Sequence, residues 1–202
     1  MNKIALVAIG LGSLFLFSFK KKSSFYDLAI DASLGAFGPL SNAQIKSIEA
    51  IVNAFEKYGD GDGSKLAYIL ATAWHESRLK PIKEIRAASN TSLYSTQNNY
   101  WHSGYYGRGF VQLTWLNNYR KMSEFLGVDL VNNPDLALNP TYAAQILVYG
   151  MYNGSFTGKK LSDYISDTYS DFYNARRIVN GTDRAELINN YAISIIENSQ
   201  AV

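Results

Sequence analysis

The chain has 202 residues, of which 47% are hydrophobic, enough for one sizeable buried core in a single domain. It contains no cysteine, which excludes disulfide frameworks and thiolate metal sites. Its two histidines, His75 and His102, are too few for a convincing zinc cluster. The sequence therefore predicts neither a metal site nor a cofactor.

The positive charge of the chain is concentrated at its N-terminus. The net charge is +2, but the first 22 residues hold Lys3 and the lysine triplet 20–22 and no acidic residue. Without these four lysines, 15 basic residues remain against 17 acidic ones. A protein that binds nucleic acid concentrates positive charge on its folded part, so the sequence argues against nucleic acid as a partner.

Residues 4–19, IALVAIGLGSLFLFSF, form an uncharged run. As a helix this run would span about 24 Å, slightly short of a hydrocarbon core of about 30 Å, and flanking lysines could cover the difference. No small-x-small site follows it, which favours an uncleaved anchor over a cleaved secretory signal. The sequence thus predicts that residues 1–22 form a membrane anchor in contact with the lipid bilayer, and it does not fix the orientation of this anchor in the membrane. Residues 23–40 are predicted as a linker or the start of the folded domain.

Apolar periodicity and capping residues predict the first helices of the folded part. One runs over residues 41–58, where Ser41 and Gln44 can form a capping box. The next runs over residues 64–79 and ends where a proline forces the chain out of helical geometry. The sequence DGDGS between them resembles a fragment of a calcium loop but lacks the remaining ligands, so a turn that caps the second helix is favoured.

The same signals predict four later helices, over residues 115–126, 140–152, 161–179 and 182–198. Between Pro81 and Gly109 no helical period holds, and Ser, Asn, Thr and Tyr dominate. The predicted fold is mainly α, a single domain over residues 41–202 with a small irregular polar lobe inserted after the second helix.

Glu76 falls at the margin of the apolar stripe of the 64–79 helix. At 100° per residue it lies about 20° from Ile69 on the helical wheel. Partial desolvation there disfavours the charged form of the carboxyl group, which suits an acid catalyst. A half-buried glutamate paired with an arginine, such as Arg78 or Arg108, is equally compatible with this position.

The string SGYYGRGFVQLTWLNNY sets polar residues regularly among large apolar ones. Its glycines Gly107 and Gly109 would let the backbone turn tightly beside a ligand, where a Cβ would intrude. Gln112 and Thr114 alternate with apolar residues, so one face could line a cleft while the other packs. Asn118 follows Thr114 by four residues, which places both on the same side of a helix that starts there.

The sequence WHES at residues 74–77, followed by this string, resembles the family 19 glycoside hydrolases, the chitinases and phage endolysins of the lysozyme superfamily. The matching parts of the string are Tyr106–Gly109, Gln112–Thr114 and Asn118–Tyr119. The similarity covers roughly residues 41–195 and implies a lysozyme-like domain.

The resemblance implies a role for each matching residue. Glu76 would be the general acid that protonates the glycosidic oxygen, and Glu84, the only acidic residue between Glu76 and the string, would be the general base. Thr114 would help to hold the attacking water. The implied substrate-binding residues are Gln112, Asn118, Tyr106, Asn180 and Arg184. Arg108 is interpreted as structural, an internal partner for a buried carboxylate, with Gly107 and Gly109 beside the site.

The resemblance further implies an inverting reaction, in which carboxyl groups about 6.5 to 9.5 Å apart leave room for a water molecule. Chitin and peptidoglycan both carry β-1,4-linked N-acetylhexosamines, and the predicted anchor favours peptidoglycan glycan strands as the substrate. The prediction is a muralytic enzyme, of bacteriophage or bacterial origin, held in the host inner membrane or a virion membrane and used for host lysis or cell entry. The alternatives are a chitinase, a retaining lysozyme or lytic transglycosylase with Glu76 as its only essential acid, and a non-catalytic sugar-binding or structural membrane protein.

Overall fold

A computed structural model of the protein describes residues 4–9, 13–18 and 23–200, with side chains from residue 25 onward. The helices of this part are α1 Ser23–Phe37, α2 Asn42–Tyr58, α3 Gly63–Ser77, α4 Ser92–Gln97, α5 Leu116–Leu126, α6 Pro140–Asn153, α7 Phe172–Ala175 and α8 Ala185–Gln200. Short 3-10 turns lie at Trp101–Ser103, Pro134–Leu138, Leu161–Asp163 and Arg176–Ile178. The strands are β1 Ile4–Ile9, β2 Ser13–Ser18, β3 Ile82–Lys83, β4 Arg108–Gly109, β5 Ile165–Ser166 and β6 Tyr169–Ser170. The described chain is mainly helical, which confirms the predicted class.

Helix α3 is the centre of the core. Every residue from Gly63 to Ala73 is buried, because a helix that is apolar on nearly all sides must be surrounded by other elements. Helix α8 packs against α3 and α1, while α2 packs against α6. Helix α1 lies within residues 23–40, predicted as a linker or the start of the folded domain, and its Phe37 ring stacks on Trp74 with centroids 4.3 Å apart.

The loop DGDGS caps α3, as the sequence analysis favours. The Asp62 carboxylate accepts a hydrogen bond of 2.9 Å from the Ser64 amide at the helix start. The Lys65 ammonium group lies 2.5 Å from Asp60 and 3.7 Å from Asp62, so the lysine supplies the positive charge that these carboxylates need. The charges of the loop are thus balanced within the chain, although Asp62 Oδ2 and Ser64 Oγ are buried without a hydrogen-bond partner.

The end of α3 positions Glu76. Arg78 and Leu79 both adopt left-handed backbone conformations, with φ of 53° and 55°, just before the Lys80-Pro81 bond. The Arg78 amide caps the helix by donating to the Trp74 carbonyl at 2.9 Å. Proline disfavours helical geometry in the residue before it, so the helix stops and leaves Glu76 in its last turn.

The predicted helix over residues 161–179 is wrong. The chain instead forms a 3-10 turn, the β5–β6 hairpin, the four-residue helix α7 and a second 3-10 turn. The hairpin falls in the polar sequence SDTYSD, whose short side chains compete with helical hydrogen bonds and favour turns. Asp171 ends the hairpin and accepts a hydrogen bond of 2.9 Å from the Asn174 amide, which starts α7.

The predicted membrane anchor is also wrong. Residues Ile4–Ile9 and Ser13–Ser18 lie in two antiparallel strands, β1 and β2, and not in a helix. Their β-branched and aromatic residues favour extended backbone. In the part of the chain that the structure describes, no helix combines the length and the apolar character needed to span a bilayer. The predicted location in a host or virion membrane is therefore overturned; the lysines that were to flank the anchor lie outside the described residues.

Candidate active site

The Glu84 carboxylate is held by three neutral donors. Its Oε1 accepts from Gln97 Nε2 at 2.9 Å and from the Tyr100 hydroxyl at 2.7 Å, and its Oε2 accepts from the Gly107 amide at 2.8 Å. Hydrogen bonds to a carboxylate stabilise its charged form and fix its orientation. The Glu84 carboxylate is therefore held in one orientation.

Gln97 organises the polar lobe around Glu84. Its side chain has no exposed surface, accepts from the Ala87 amide at 2.8 Å and donates to the Ile85 carbonyl at 3.0 Å as well as to Glu84. Burial, followed by the hydrogen bond to Glu84, raises the pKa of Tyr100 to about 12. The phenol thus remains a donor at any pH near neutrality.

Strand pairing aligns Glu84 with Thr114. Lys83 pairs with Arg108 in the β3–β4 ladder, and Arg108 forms a further antiparallel bridge with Leu113. The next residue along each strand is Glu84, Gly107 and Thr114, so these three occupy one row across the small sheet. Adjacent strands are about 4.8 Å apart, which puts the Glu84 and Thr114 backbones about two such spacings from each other.

The stretch before Thr114 forms a tight turn. Gln112 has a left-handed φ of 54°, and the Thr114 hydroxyl donates to its carbonyl at 2.8 Å. Val111 and Leu113 are buried while Gln112 and Thr114 are half-buried, so the burial alternates as predicted, but all four residues border the same cavity. Asn118 lies beside Thr114, since its side-chain amide donates to the Thr114 carbonyl at 2.8 Å.

A cavity of about 130 Å³ brings three predicted site residues together. It is lined by Gln112, Thr114 and Asn118 on one side and by Phe156 and Val179 on the other, with Val111 and Leu113 completing the wall. Amide and hydroxyl groups therefore face apolar surface across a small hollow. Such a mixture suits the hydroxyl groups and the flat ring of a sugar.

Glu76 pairs with an arginine from the opposite end of the chain. Arg176 Nη1 lies 2.5 Å from Glu76 Oε1, although the two residues are 100 positions apart. The arginine side chain is only 4% exposed and the glutamate 19%. An arginine partner agrees with one of the two interpretations of Glu76, but Arg78 and Arg108, the arginines expected in that role, do not make this contact.

Arg176 connects Glu76 to the cavity. Its Nε donates to the Asp183 carbonyl at 3.0 Å, and its own carbonyl accepts from the Val179 and Asn180 amides at 3.2 and 3.0 Å. Val179 lines the cavity that holds Thr114, and Asn180 is exposed beside it. The Glu76 end and the Thr114 end of the site thus share one short turn of chain.

Arginines surround His75, the neighbour of Glu76. Burial lowers the pKa of His75, Glu76 opposes this shift, and Arg176, Arg78 and Arg184 lower the pKa further. The imidazole is therefore neutral at physiological pH. Between residues 25 and 200, no three His, Asp or Glu side chains come together as a metal site would require.

The expectation that Arg108 serves a buried carboxylate needs correction. Its Nε donates at 2.6 Å to Asp135, whose side chain is 61% exposed. Its Nη1 donates to the Gly104 and Tyr106 carbonyls and to the Tyr119 hydroxyl, each at 3.0 Å. Arg108 is itself 3% exposed and ties the lobe together mainly through neutral oxygens.

Neighbouring protein groups leave little room for a side chain at either glycine. A Cβ on Gly107 would lie 2.6 Å from Gln112 Oε1, and one on Gly109, where φ is +85°, would lie 3.0 Å from the Ala137 carbonyl. Tyr106 is likewise engaged within the lobe, because its ring stacks on Trp101 at 4.4 Å and lies 4.1 Å from the Arg108 guanidinium. Its predicted contact with substrate stays a prediction.

Three residues of the site, Arg176, Gln97 and Tyr100, are not predicted from the sequence. Arg176 carries no local signal, since only the tertiary fold brings it to Glu76. Gln97 and Tyr100 lie in the segment without helical period, where one polar residue is not distinguishable from another. A buried glutamine requires partners, but burial is visible only in the structure.

Comparison with known proteins identifies the family. The sequence profile described as chitinase class I matches residues 35–151, more than half of the chain. An endochitinase of Arabidopsis thaliana is 34% identical over 110 residues, which are 50% of this chain and 38% of that protein. An acidic endochitinase of Solanum lycopersicum is 33% identical over 92 residues, 43% of this chain and 37% of that one. The chain thus spans well under half the length of these relatives.

One shorter match is to a protein described as inactive. An inactive chitinase-like protein of Hevea brasiliensis is 59% identical over 32 residues, 16% of this chain and 10% of its own. High identity over a short segment therefore does not by itself distinguish an enzyme from a protein without activity.

Solved structures share the fold. Chitinase C from Streptomyces griseus superimposes with a TM-score of 0.56 at 17% identity, covering 95% of this chain and 81% of that one. A bacterial family 19 chitinase gives 0.56 at 19% identity, covering 84% and 91%. Together with the profile match over residues 35–151, these findings establish that the chain belongs to the chitinase class I family, family 19 of the glycoside hydrolases.

Proposed function

We propose that the protein hydrolyses β-1,4 bonds between N-acetylhexosamine units of a glycan polymer by an inverting acid/base mechanism. The observation that carries the proposal is the row formed by Glu84 and Thr114, beside a cavity that Arg176 links to Glu76. Family membership and the endochitinase relatives support the reaction class.

Thr114 suits the handling of water. Its only hydroxyl hydrogen is used in the bond to the Gln112 carbonyl, so its oxygen offers lone pairs and can only accept from a further partner. A water that donates one hydrogen to Thr114 and the other to Glu84 directs its own lone pair toward the anomeric carbon. Glu84 takes up the proton as the new C–O bond forms, and the configuration at that carbon inverts.

Glu76 would supply the second proton. Its Oε1 contacts Arg176, whereas no described residue donates to Oε2, so this oxygen is free to face the substrate. A general acid must enter the reaction in its protonated form. The acid proton then passes to the glycosidic oxygen as the old C–O bond breaks.

The substrate proposed first is a chitin-type oligomer. In the sequence, only the predicted membrane anchor favours peptidoglycan, and that prediction is wrong. Assay of reducing ends released from N-acetylglucosamine oligomers, with product anomers followed by NMR, tests the proposal. The wild-type protein is expected to release products of inverted configuration, and Glu76→Gln to release them at least about a hundredfold more slowly. Hydrolysis by Glu76→Gln at the wild-type rate, or products of retained configuration, would contradict it.

Peptidoglycan is a second candidate because two arginines near Glu76 form no ion pair with a described residue, although the Arg78 guanidinium lies over the Trp74 ring at 5.0 Å. Arg78 and Arg184 are exposed, and neither forms an ion pair with any side chain between residues 25 and 200. Chitin is uncharged, whereas peptidoglycan carries lactyl or peptide carboxylates that could meet these guanidinium groups. The double variant Arg78→Gln/Arg184→Gln is expected to lose activity on peptidoglycan strands only; an equal loss on chitin oligomers removes this candidate.

A further inference from the structure

Trp115 occupies an unfavourable position in two respects. Its backbone has φ of 76° and ψ of 135°, a conformation that a bulky residue with a Cβ rarely adopts. Its side chain is also 48% exposed, so much of the indole ring faces solvent. Neither backbone strain nor exposed apolar surface stabilises the fold, so the stability of the fold does not explain a tryptophan at this position.

The strain itself has a structural cause. The Arg108–Leu113 bridge would, in a regular antiparallel ladder, be followed by a pair between Tyr106 and Trp115. The Tyr106 carbonyl is instead used by Arg108 Nη1 and the Tyr119 hydroxyl, and the Trp115 amide donates to the Tyr105 carbonyl at 2.8 Å. This geometry fixes a positive φ, for which glycine is the least strained residue. It does not require an aromatic side chain.

The indole lies beside the proposed water site. Trp115 directly follows Thr114, and its ring meets the Tyr100 ring edge to face at 5.2 Å. The Tyr100 hydroxyl is one of the donors to Glu84. Two other aromatic side chains in the described chain, Tyr169 and Tyr173, are comparably exposed at 53% and 43%, and neither makes such a contact.

We propose that Trp115 is a sugar-binding residue whose exposed ring stacks on an N-acetylhexosamine unit beside the bond that is cleaved. The C–H face of a β-linked pyranose is flat and apolar, and the indole N–H can donate to a hydroxyl group at the edge of the ring. Covering the indole removes apolar surface from water, which offsets the unfavourable position of the free side chain. The proposal rests on the proposed function.

The decisive variant is Trp115→Gly, since glycine accepts the same φ and removes only the ring. Binding of an N-acetylglucosamine tetramer is measured by calorimetry in a Glu76→Gln background, which prevents turnover, and KM and kcat are measured in the active protein. Trp115→Gly is expected to raise Kd and KM about tenfold, the factor that corresponds to about 1.4 kcal/mol. Its melting temperature stays the same or rises, Trp115→Phe binds with intermediate affinity, and Tyr169→Ala, the exposed aromatic control, binds like the parent.

Equal binding of the tetramer by Trp115→Gly and its parent overturns the proposal while hydrolysis by the wild-type protein leaves the proposed function standing. A melting temperature that falls together with binding overturns it too, because the ring would then be structural. Absence of tetramer binding in the parent has the same result. Absence of hydrolysis in the wild-type protein is a separate outcome, which removes the proposed function.

Discussion

The two candidate carboxylates are held in opposite ways. Glu84 has donors on both oxygens, all of them neutral, and its partners lie within 23 residues of it in the chain. Glu76 has a single partner, the charged Arg176, which lies 100 residues away. Fixed donors on both oxygens hold the Glu84 carboxylate in one orientation, whereas no described residue donates to Oε2 of Glu76, which leaves that oxygen open to a ligand. The same residue type is thus suited to a base at one place and to an acid at the other.

The difference also concerns which part of the fold each residue depends on. Glu84 relies on the polar lobe, whose hydrogen bonds form locally. Glu76 relies on α3 and on the turn before α8, so it requires the complete helical core. Loss of one lobe contact should therefore disturb Glu84 alone.

The largest effects are expected from the pair Glu76→Gln and Glu84→Gln. Each should lower kcat on N-acetylglucosamine oligomers by about 10² to 10⁴, the usual contribution of general acid or base catalysis. An aryl glycoside with a nitrophenol leaving group needs no protonation, so Glu76→Gln should recover activity on it while Glu84→Gln does not. If Glu84→Gln recovers activity on the aryl glycoside and Glu76→Gln does not, Glu84 is the acid and Glu76 the base.

A smaller effect is expected from Gln97→Glu, which places a second carboxylate 2.9 Å from Glu84. Two like charges at that distance repel, and the Ile85 carbonyl loses its donor. We expect a loss of about 1–3 kcal/mol in the free energy of unfolding, from the unmet buried groups, together with reduced kcat. Urea titration and the hydrolysis assay measure both. Asn99→Asp is the matched control, since it adds the same charge at an exposed lobe position and should change neither.

Much of this architecture follows from local sequence signals. The helices α2, α5 and α6 begin and end within one residue of their predicted limits, because capping residues and glycines mark them. Ser41 and Gln44 interact as a capping box requires, and Gly127 ends α5 with φ of 68°. Such signals act within one turn of chain and need no tertiary contact.

The failures lie where tertiary context decides. An apolar run such as residues 4–19 fits a helix or a strand pair, and periodicity alone does not separate them. For the site, family resemblance selected Glu76 and Glu84, but their partners depend on contacts across the fold. Arg176 and Gln97 have no pattern that could reveal them before α3, α8 and the lobe are assembled.

Tyr100→Phe tests the donors of Glu84 more gently. Burial and then Glu84 raise the pKa of Tyr100 to about 12, against about 10 in an unfolded chain. With the folded value higher, the stabilising contribution is complete below pH 10 or so and is lost as the pH rises toward about 12. The variant should therefore be less stable than wild type at pH 8, by about 1 kcal/mol, with a gap that narrows at higher pH. Chemical unfolding at several pH values measures this difference, with Tyr94→Phe as the control in the same lobe. If the difference in the free energy of unfolding between wild type and Tyr100→Phe does not change with pH, Glu84 does not depend on this hydroxyl.

The smallest effect is expected at the contact between Arg108 and Asp135. This contact is about as short as that between Arg176 and Glu76, but its carboxylate is far more exposed. Arg108 and Asp135 approach to 2.6 Å, close to the 2.5 Å of Arg176 and Glu76, but Asp135 is 61% exposed against 19% for Glu76. Exposed ion pairs contribute about 0–1 kcal/mol, so Asp135→Asn should change the free energy of unfolding by no more than that. Glu76→Gln should cost more, because it leaves the buried Arg176 with one other acceptor among the described residues, the neutral Asp183 carbonyl. Arg108, by contrast, keeps three neutral acceptors when Asp135 is changed.

Chemical unfolding of Asp135→Asn and Glu76→Gln under one buffer condition decides the point. The hydrogen bond from Lys83, then that from Arg108, lowers the pKa of Asp135, so its contribution is present near neutral pH and disappears as the pH falls through the acidic range. Wild type and Asp135→Asn should consequently converge in acid. Equal losses for the two variants at neutral pH would mean that burial does not distinguish the pairs, and the special standing of Glu76 would then rest on its free oxygen alone.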